Sequence, residues 1–222
     1  VGFGETADAF RLTALEMHHD VTVIQARLRG APAVLRLNTL GRHFAVNAMG
    51  VLAAVEALSG DPTRAAVDLF RWHPPAGRGR RETVSLDPAD TNAYFELIDD
   101  AYNANPASMA AALEVLAASD PQEQSRQGPR RIAILGDMLE LGQEEAQIHA
   151  QLAGNNHLLT LDVVHCVGPR MRACYDALPA EIRGRWVQEA QELASGLGEL
   201  IAPGDRVLVK GSLGSKVSLI VD

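Results

Sequence analysis

The chain has 222 residues, 47% of them apolar and 5% aromatic, and a formal net charge of −8. That length admits one large domain or two small ones. The acidic balance argues against a nucleic-acid or anionic-membrane partner, which would call for a basic face, although an acidic protein can still carry a locally basic site for an acidic substrate. No apolar run approaches the roughly 20 residues of a membrane-spanning helix. Cys166 and Cys174 are too few for a disulfide framework and lack zinc-ligand spacing, so they read as reduced thiols of a cytosolic protein. No signal-peptide pattern opens the chain. It begins without Met and stops at "KVSLIVD", in mid-pattern, so both ends read as cut.

In chain order, His18 and His19 are expected in a turn, followed by a hairpin. "DVTVIQARLRG" and "APAVLRLNTL" alternate apolar and polar residues around an Arg-Gly-Ala-Pro break. From Arg42 to Leu58 apolar residues recur at helical spacing until Ser59-Gly60. Asp61-Pro62 then supplies a cap and a first-turn proline for a second helix, "TRAAVDLF". "HPPAGRGRR", rich in proline, glycine and arginine, is the predicted domain boundary.

Beyond it the rhythm becomes strand–helix–strand–helix. Strands are predicted at Ala93–Ile98, Arg131–Leu135, Val163–Val167, Arg185–Val187 and Arg206–Val209, and helices at Ala107–Ala118, Glu144–Leu158, Arg170–Leu178 and Ala190–Leu200. Short apolar strands alternating with helices imply an α/β domain with a mostly parallel sheet covered on both faces. Ligands of such sheets collect at the carboxyl ends of the strands, which is where "DDAYNANP", "GDMLELG" and "KGSLGSK" fall.

Each polar stretch admits two readings. Asp99 and Asp100 end a strand, where a carboxylate can accept ribose hydroxyls or orient a cation. Asn105 before Pro106 can equally be no more than a helix cap in a shaped turn. His43 and Asn47, four apart near a helix start, share a face. An asparagine there can read an adenine edge, and both residues can equally be structural. Arg78 in the linker can pair with phosphate or simply be solvated. Asp137 in "LGDMLELG" and Lys210 and Ser212 in "VLVKGSLGSK" sit at the same ligand edge, but turns also favour Gly-Asp. Neither G-x-x-x-x-G-K-[ST] nor G-x-G-x-x-G nor G-x-S-x-G occurs, and no histidine set, His149 included, has metal-ligand spacing.

Taken in order, "GRHFAVNA", "PPAGRG", "IDDAYNANPASM", "ILGDMLELG" and "VLVKGSLGS" resemble the Mur ligase family from about "LGRHFAVN" to the chain's end. The resemblance implies that residues 1–79 are the C-terminal part of a central ATP-binding domain without its phosphate loop. Residues 80–222 would then be a slightly truncated, Rossmann-like C-terminal domain. It implies ATP-dependent amide formation in cytoplasmic peptidoglycan precursor synthesis, with ATP and Mg2+ as cofactors. The expected substrates are UDP-N-acetylmuramoyl-tripeptide and D-alanyl-D-alanine, joined through an acyl phosphate. The isolated chain is expected to be inactive, with no catalytic residue and no metal ligand of its own; the sequence does not give its oligomeric state, for which a monomer is the default. On the nucleotide, the resemblance places His43, Asn47, Arg78, Asp100, Tyr102, Asn103 and Asn105. On the substrate side it places Ser108, Asp137, Lys210 and Ser212. Two positions depart from the family pattern. Phe44 stands where an asparagine is common, and Leu213 replaces the arginine of K-G-S-R. A folylpolyglutamate-synthetase-like ligase and a non-catalytic binding module are the alternatives. A nicotinamide-binding oxidoreductase is disfavoured by the absent glycine fingerprint.

Overall fold

The computed structural model describes residues 1–18, 20–119 and 129–221. The chain forms two compact units, Val1–Pro74 and Pro75–Asp222.

In the first unit, β1 (Phe3–Gly4), β2 (Phe10–His18), β3 (Val21–Leu28) and β4 (Ala31–Leu37) form a sheet in chain order. β1 pairs parallel with β2, and the other pairings are antiparallel. The expected hairpin is β3–β4. β1 and β2 were not anticipated, and His18 is the last residue of β2 rather than part of a turn, whereas His19 lies outside the described residues. α1 (Arg42–Ala57) buries Ala45, Ala48, Met49, Leu52 and Ala53, the i, i+3, i+4, i+7 and i+8 positions of one stripe. That stripe packs on Phe10, Leu12, Ile24, Ala26, Leu35 and Leu37, the inward residues of the strands. α2 (Pro62–Asp68) starts as expected, with the Asp61 carboxylate accepting the Thr63 and Arg64 N–H groups.

The second unit is a six-stranded sheet of order β5-β6-β10-β7-β8-β9. Its strands are β5 (Arg80–Ser85), β6 (Tyr94–Asp100), β7 (Arg131–Gly136), β8 (Val163–Val167), β9 (Arg183–Val187) and β10 (Arg206–Lys210). β5 runs antiparallel to β6, and all other pairings are parallel. β5 is not among the predicted strands, and its first two residues, Arg80 and Arg81, fall at the end of the predicted boundary "HPPAGRGRR". Its charged, half-exposed residues suit an edge strand, where charge blocks pairing with another chain. The helices are α3 (Pro106–Ala118), α4 (Glu145–Leu152), α5 (Arg172–Ala177), α6 (Ala190–Ala194) and α7 (Leu197–Leu200).

Two predicted helices are shorter than their periodicity suggests. The one expected to reach Leu158 ends at Leu152, because the Asn155 side chain accepts the His157 and Leu158 N–H groups and starts a separate 3₁₀ turn. The one expected over Ala190–Leu200 breaks at Ser195-Gly196, where the Ser195 hydroxyl donates back to the Gln191 carbonyl. The strand order matters most. From β6 the chain passes to β7, moves outward through β8 and β9, and returns so that β10 inserts between β6 and β7. The crevice beside such a reversal is where open α/β sheets hold ligands.

Candidate functional site

The site at the carboxyl edge of the second sheet is built on Asp99-Asp100, the last residues of β6. Successive strand side chains point to opposite faces, so the two carboxylates have different fates. Asp99 is turned inward and buried, and its oxygens accept the N–H groups of Gly77 at 2.6 Å and Ala101 at 3.2 Å. It clamps the turn Pro75–Arg78 onto the strand end. That turn closes by the Arg78 N–H donating to the Pro75 carbonyl at 3.2 Å. Gly77 sits at φ 73°, a left-handed conformation that turns reserve for glycine, and a Cβ there would lie 2.9 Å from the Tyr102 Cβ. The Tyr102 N–H donates to the Gly77 carbonyl at 3.0 Å. Arg78 is thus delivered to the site with its guanidinium 4.3 Å from the centroid of the Tyr102 ring, which is half exposed.

Asp100 faces the other way. One of its oxygens accepts the Lys210 ammonium at 2.7 Å, while a fifth of its side chain stays exposed. Burial pushes its carboxyl above the usual 3.8. The Lys210 charge and hydrogen bond oppose that shift, as does Arg78, whereas the neighbouring Asp99 adds to it. The Lys210 ammonium also donates to the Asn103 carbonyl at 2.9 Å. Asn103 uses its own side-chain oxygen on the Ala104 N–H. Asn105 and Ser108 form a reciprocal capping box at the start of α3, so both are occupied with the helix end.

Two residues beyond Lys210, the Ser212 hydroxyl accepts the Leu139 N–H at 3.0 Å and donates to the Ala104 carbonyl. The Ser212 N–H donates to the Asp137 carbonyl. Asp137 follows β7 and is 3% exposed. Its carboxylate accepts the buried Met171 N–H at 2.8 Å, with Arg170 at 3.6 Å. The adjacent Met138 N–H donates to Nε2 of His149, which is fully buried and donates from Nδ1 to the Glu145 carbonyl. The loop after β7 is therefore pinned by side chains from α4, the β8–α5 turn and the β10 end.

Nine of the eleven sequence-predicted residues come together at this edge: Arg78, Asp100, Tyr102, Asn103, Asn105, Ser108, Asp137, Lys210 and Ser212. His43 and Asn47 belong to the first unit. There Asn47 is exposed on α1, and the His43 ring lies tilted against Phe44 with centroids 4.0 Å apart, and Phe44 in turn meets Trp72 at 5.4 Å. Gly41 caps α1 at φ 137°, and a Cβ there would strike the His43 ring at 2.7 Å, so the glycine makes room for the histidine. The Asp99 clamp and the His149 bracket were missed. The Asp-Asp pair was a signal for the first, since only one of two successive strand residues can face a given side. Among the described residues no three His, Cys, Asp or Glu side chains converge, and a magnesium ion shared with nucleotide phosphates needs only one or two carboxylates from the protein. No described helix is long and apolar enough to cross a membrane.

Residues 79–213 match the family described as the Mur ligase glutamate ligase domain. Among curated proteins, the UDP-N-acetylmuramoyl-tripeptide--D-alanyl-D-alanine ligase of Rickettsia prowazekii is 32% identical over 183 residues, covering 82% of this chain and 37% of that protein. The ligase of the same name from Escherichia coli is 31% identical, covering 82% and 36%. The chain thus spans under two fifths of the length of these relatives. Among solved structures, a MurF from Acinetobacter baumannii superposes with a TM-score of 0.77 at 25% identity, covering 99% of this chain and 46% of that one. The MurF of Thermotoga maritima in complex with ADP also gives 0.77, at 19% identity, with the same coverage, and this likeness is one of fold.

Proposed function

We propose a reaction for this chain from one premise: it belongs to the Mur ligase family. In that reading it contributes to ATP-dependent ligation of D-alanyl-D-alanine to UDP-N-acetylmuramoyl-tripeptide in the cytoplasm. The γ-phosphate passes to the peptide carboxylate, giving an acyl phosphate and ADP. The dipeptide amine then attacks the acyl carbon, and phosphate leaves from the tetrahedral intermediate. Such transfer depends mainly on positioning and electrostatics.

The observation that carries the reading is the split between Asp99 and Asp100: one carboxylate fixes the fold, the other is presented at the ligand edge. Asp100 accepts ribose hydroxyls. Arg78 leaves the Tyr102 face to meet phosphate, a planar donor suited to that anion. Tyr102 and the Asn103–Asn105 loop line the nucleotide, with Asn47 on the adenine and His43 supporting it. Ser108 belongs to the dipeptide side, and Asp137 and Ser212, both enclosed, serve that side by fixing the loops after β7 and β10. Residues 1–79 act as the end of the central ATP-binding domain, and residues 80–222 as the closing domain. Magnesium held with the nucleotide phosphates would offset the crowded phosphate and carboxylate charge of this reaction, and no step is routed through it here.

The test is an NMR titration of the chain with ADP, D-alanyl-D-alanine and, separately, glutamate. ADP is expected to move the Asp100 and Arg78 signals, and the dipeptide those of Ser212 and its neighbours, with no response to glutamate. A glutamate response in place of the dipeptide response favours the folylpolyglutamate-synthetase-like alternative. No ADP response at Asp100 or Arg78 removes the nucleotide reading. ATP turnover by the chain alone is expected to be undetectable, because no phosphate-loop string occurs in it.

A further inference from the structure

Of the 20 basic Lys and Arg residues in this chain only two are lysines, Lys210 and Lys216. Lys216 is exposed. Lys210 is the last residue of β10 and only 1% exposed, with Asp100 of β6 and Leu135 of β7 as its register partners. The ammonium spends two of its three N–H donors inside the protein, on the Asp100 carboxylate and the Asn103 carbonyl. A side chain this enclosed has no surface left for a dipeptide carboxylate. Asp100 is in the reverse position: one oxygen is tied to Lys210, yet the group keeps exposed surface and unused acceptor capacity.

We infer that Lys210 is a positioning residue for Asp100, holding that carboxylate charged and aimed outward at the sheet edge, and does not itself touch substrate. The inference deepens the nucleotide role proposed for Asp100 and rests on it. A compact ammonium suits the place, since a guanidinium is larger and fans its donors in a plane. The second bond, to Asn103, fixes the loop that leads into α3, so the aim of Asp100 and the position of that loop are set together. The charges that face Asp100 are Lys210 from β10, Arg78 from the Pro75–Arg78 turn and Asp99 from its own strand.

The test uses carbon-detected NMR of the Asp100 carboxyl and nitrogen-detected NMR of the two lysine ammonium groups. In Lys210→Met the Asp100 titration midpoint is expected to rise by about one unit or more, the usual effect of removing a close opposite charge. Lys210→Gln, which keeps a donor without charge, is expected to raise it likewise, and serves if the Met variant does not fold. D-alanyl-D-alanine is expected to leave the Lys210 ammonium signal unmoved. ADP is expected to lose affinity in either variant at low pH and recover it as pH rises past the new midpoint, whereas a merely structural defect would weaken binding at every pH. An unshifted Asp100 midpoint, or a Lys210 signal that responds to the dipeptide, overturns the inference. An Asp100 signal that never responds to ADP sinks the nucleotide reading instead, and the Asp100 midpoint and the dipeptide titration still decide the role of Lys210.

Discussion

At the β6–β10 end of the sheet an aspartate closes a strand and keeps a face to solvent; at the β7–β8 end another closes a strand and is sealed. Asp100 has one lysine partner and a fifth of its side chain exposed, while Asp137 receives a backbone N–H and keeps 4%. Both stand where parallel sheets gather ligands, so position at a strand end does not decide which acid is available. The donors around it do. A backbone N–H buried beside a carboxylate must be satisfied, and an acid that satisfies it is committed to the fold. A lysine partner leaves acceptor capacity over.

The widest gap between the two ends should appear in pH. His165 on β8 is 3% exposed and accepts the Arg185 N–H through Nδ1 at 2.9 Å. Burial first, then the charges of Arg185 and Arg130, lower its pKa from 6.5 to about 4. The unfolded chain binds that proton first, so stability is full above 6.5 and is lost as pH falls through the folded value. The loss is about 3 kcal/mol. Asp100 works in the opposite sense. Its raised carboxyl contributes most below the ordinary 3.8, and that contribution is lost as pH rises through its folded value. Urea unfolding between pH 7 and 4 should show the His165 loss, and His165→Asn should remove most of it. Equal losses in the two proteins would mean that the β8 side is open to protons after all.

Asp137→Ala should cost about 2 kcal/mol, because it strands the buried Met171 N–H. An unchanged denaturation midpoint would erase the distinction between sealed and presented aspartates. Asn105→Ala should cost about 1 kcal/mol through loss of the α3 cap, read as a lower thermal midpoint; no loss would mean that α3 is anchored by packing alone. The smallest effect belongs to Tyr102→Leu. A cation–π contact at an exposed ring is worth about 0.5 kcal/mol, so stability should scarcely move while the Arg78 guanidinium NMR signal shifts. A fixed Arg78 signal would show that the turn, and not the ring, sets its place.

Much of the local architecture is legible in the sequence for local reasons. The Arg42–Ala57 stripe, the Asp61 and Asn105 caps and the β3–β4 hairpin each follow from neighbours within a few residues. Where two signals compete locally, the reading slips. Charged "RRETVS" gives no strand signal of its own because its strand character depends on β6 beside it, and helical periodicity past Leu152 yields to the Asn155 side chain.

The α/β alternation, the helix starts and the polar residues at strand ends are written locally in the chain, since backbone sterics, capping and side-chain period act between near neighbours. Which of Asp99 and Asp100 faces outward, the meeting of Lys210 with a carboxylate 110 positions away, and the closing of Asp137 all come from folding in three dimensions. Those facts depend on β10 inserting between β6 and β7. The register of a parallel sheet is set by packing among distant segments, and a shift of one residue would turn each of these side chains to the other face.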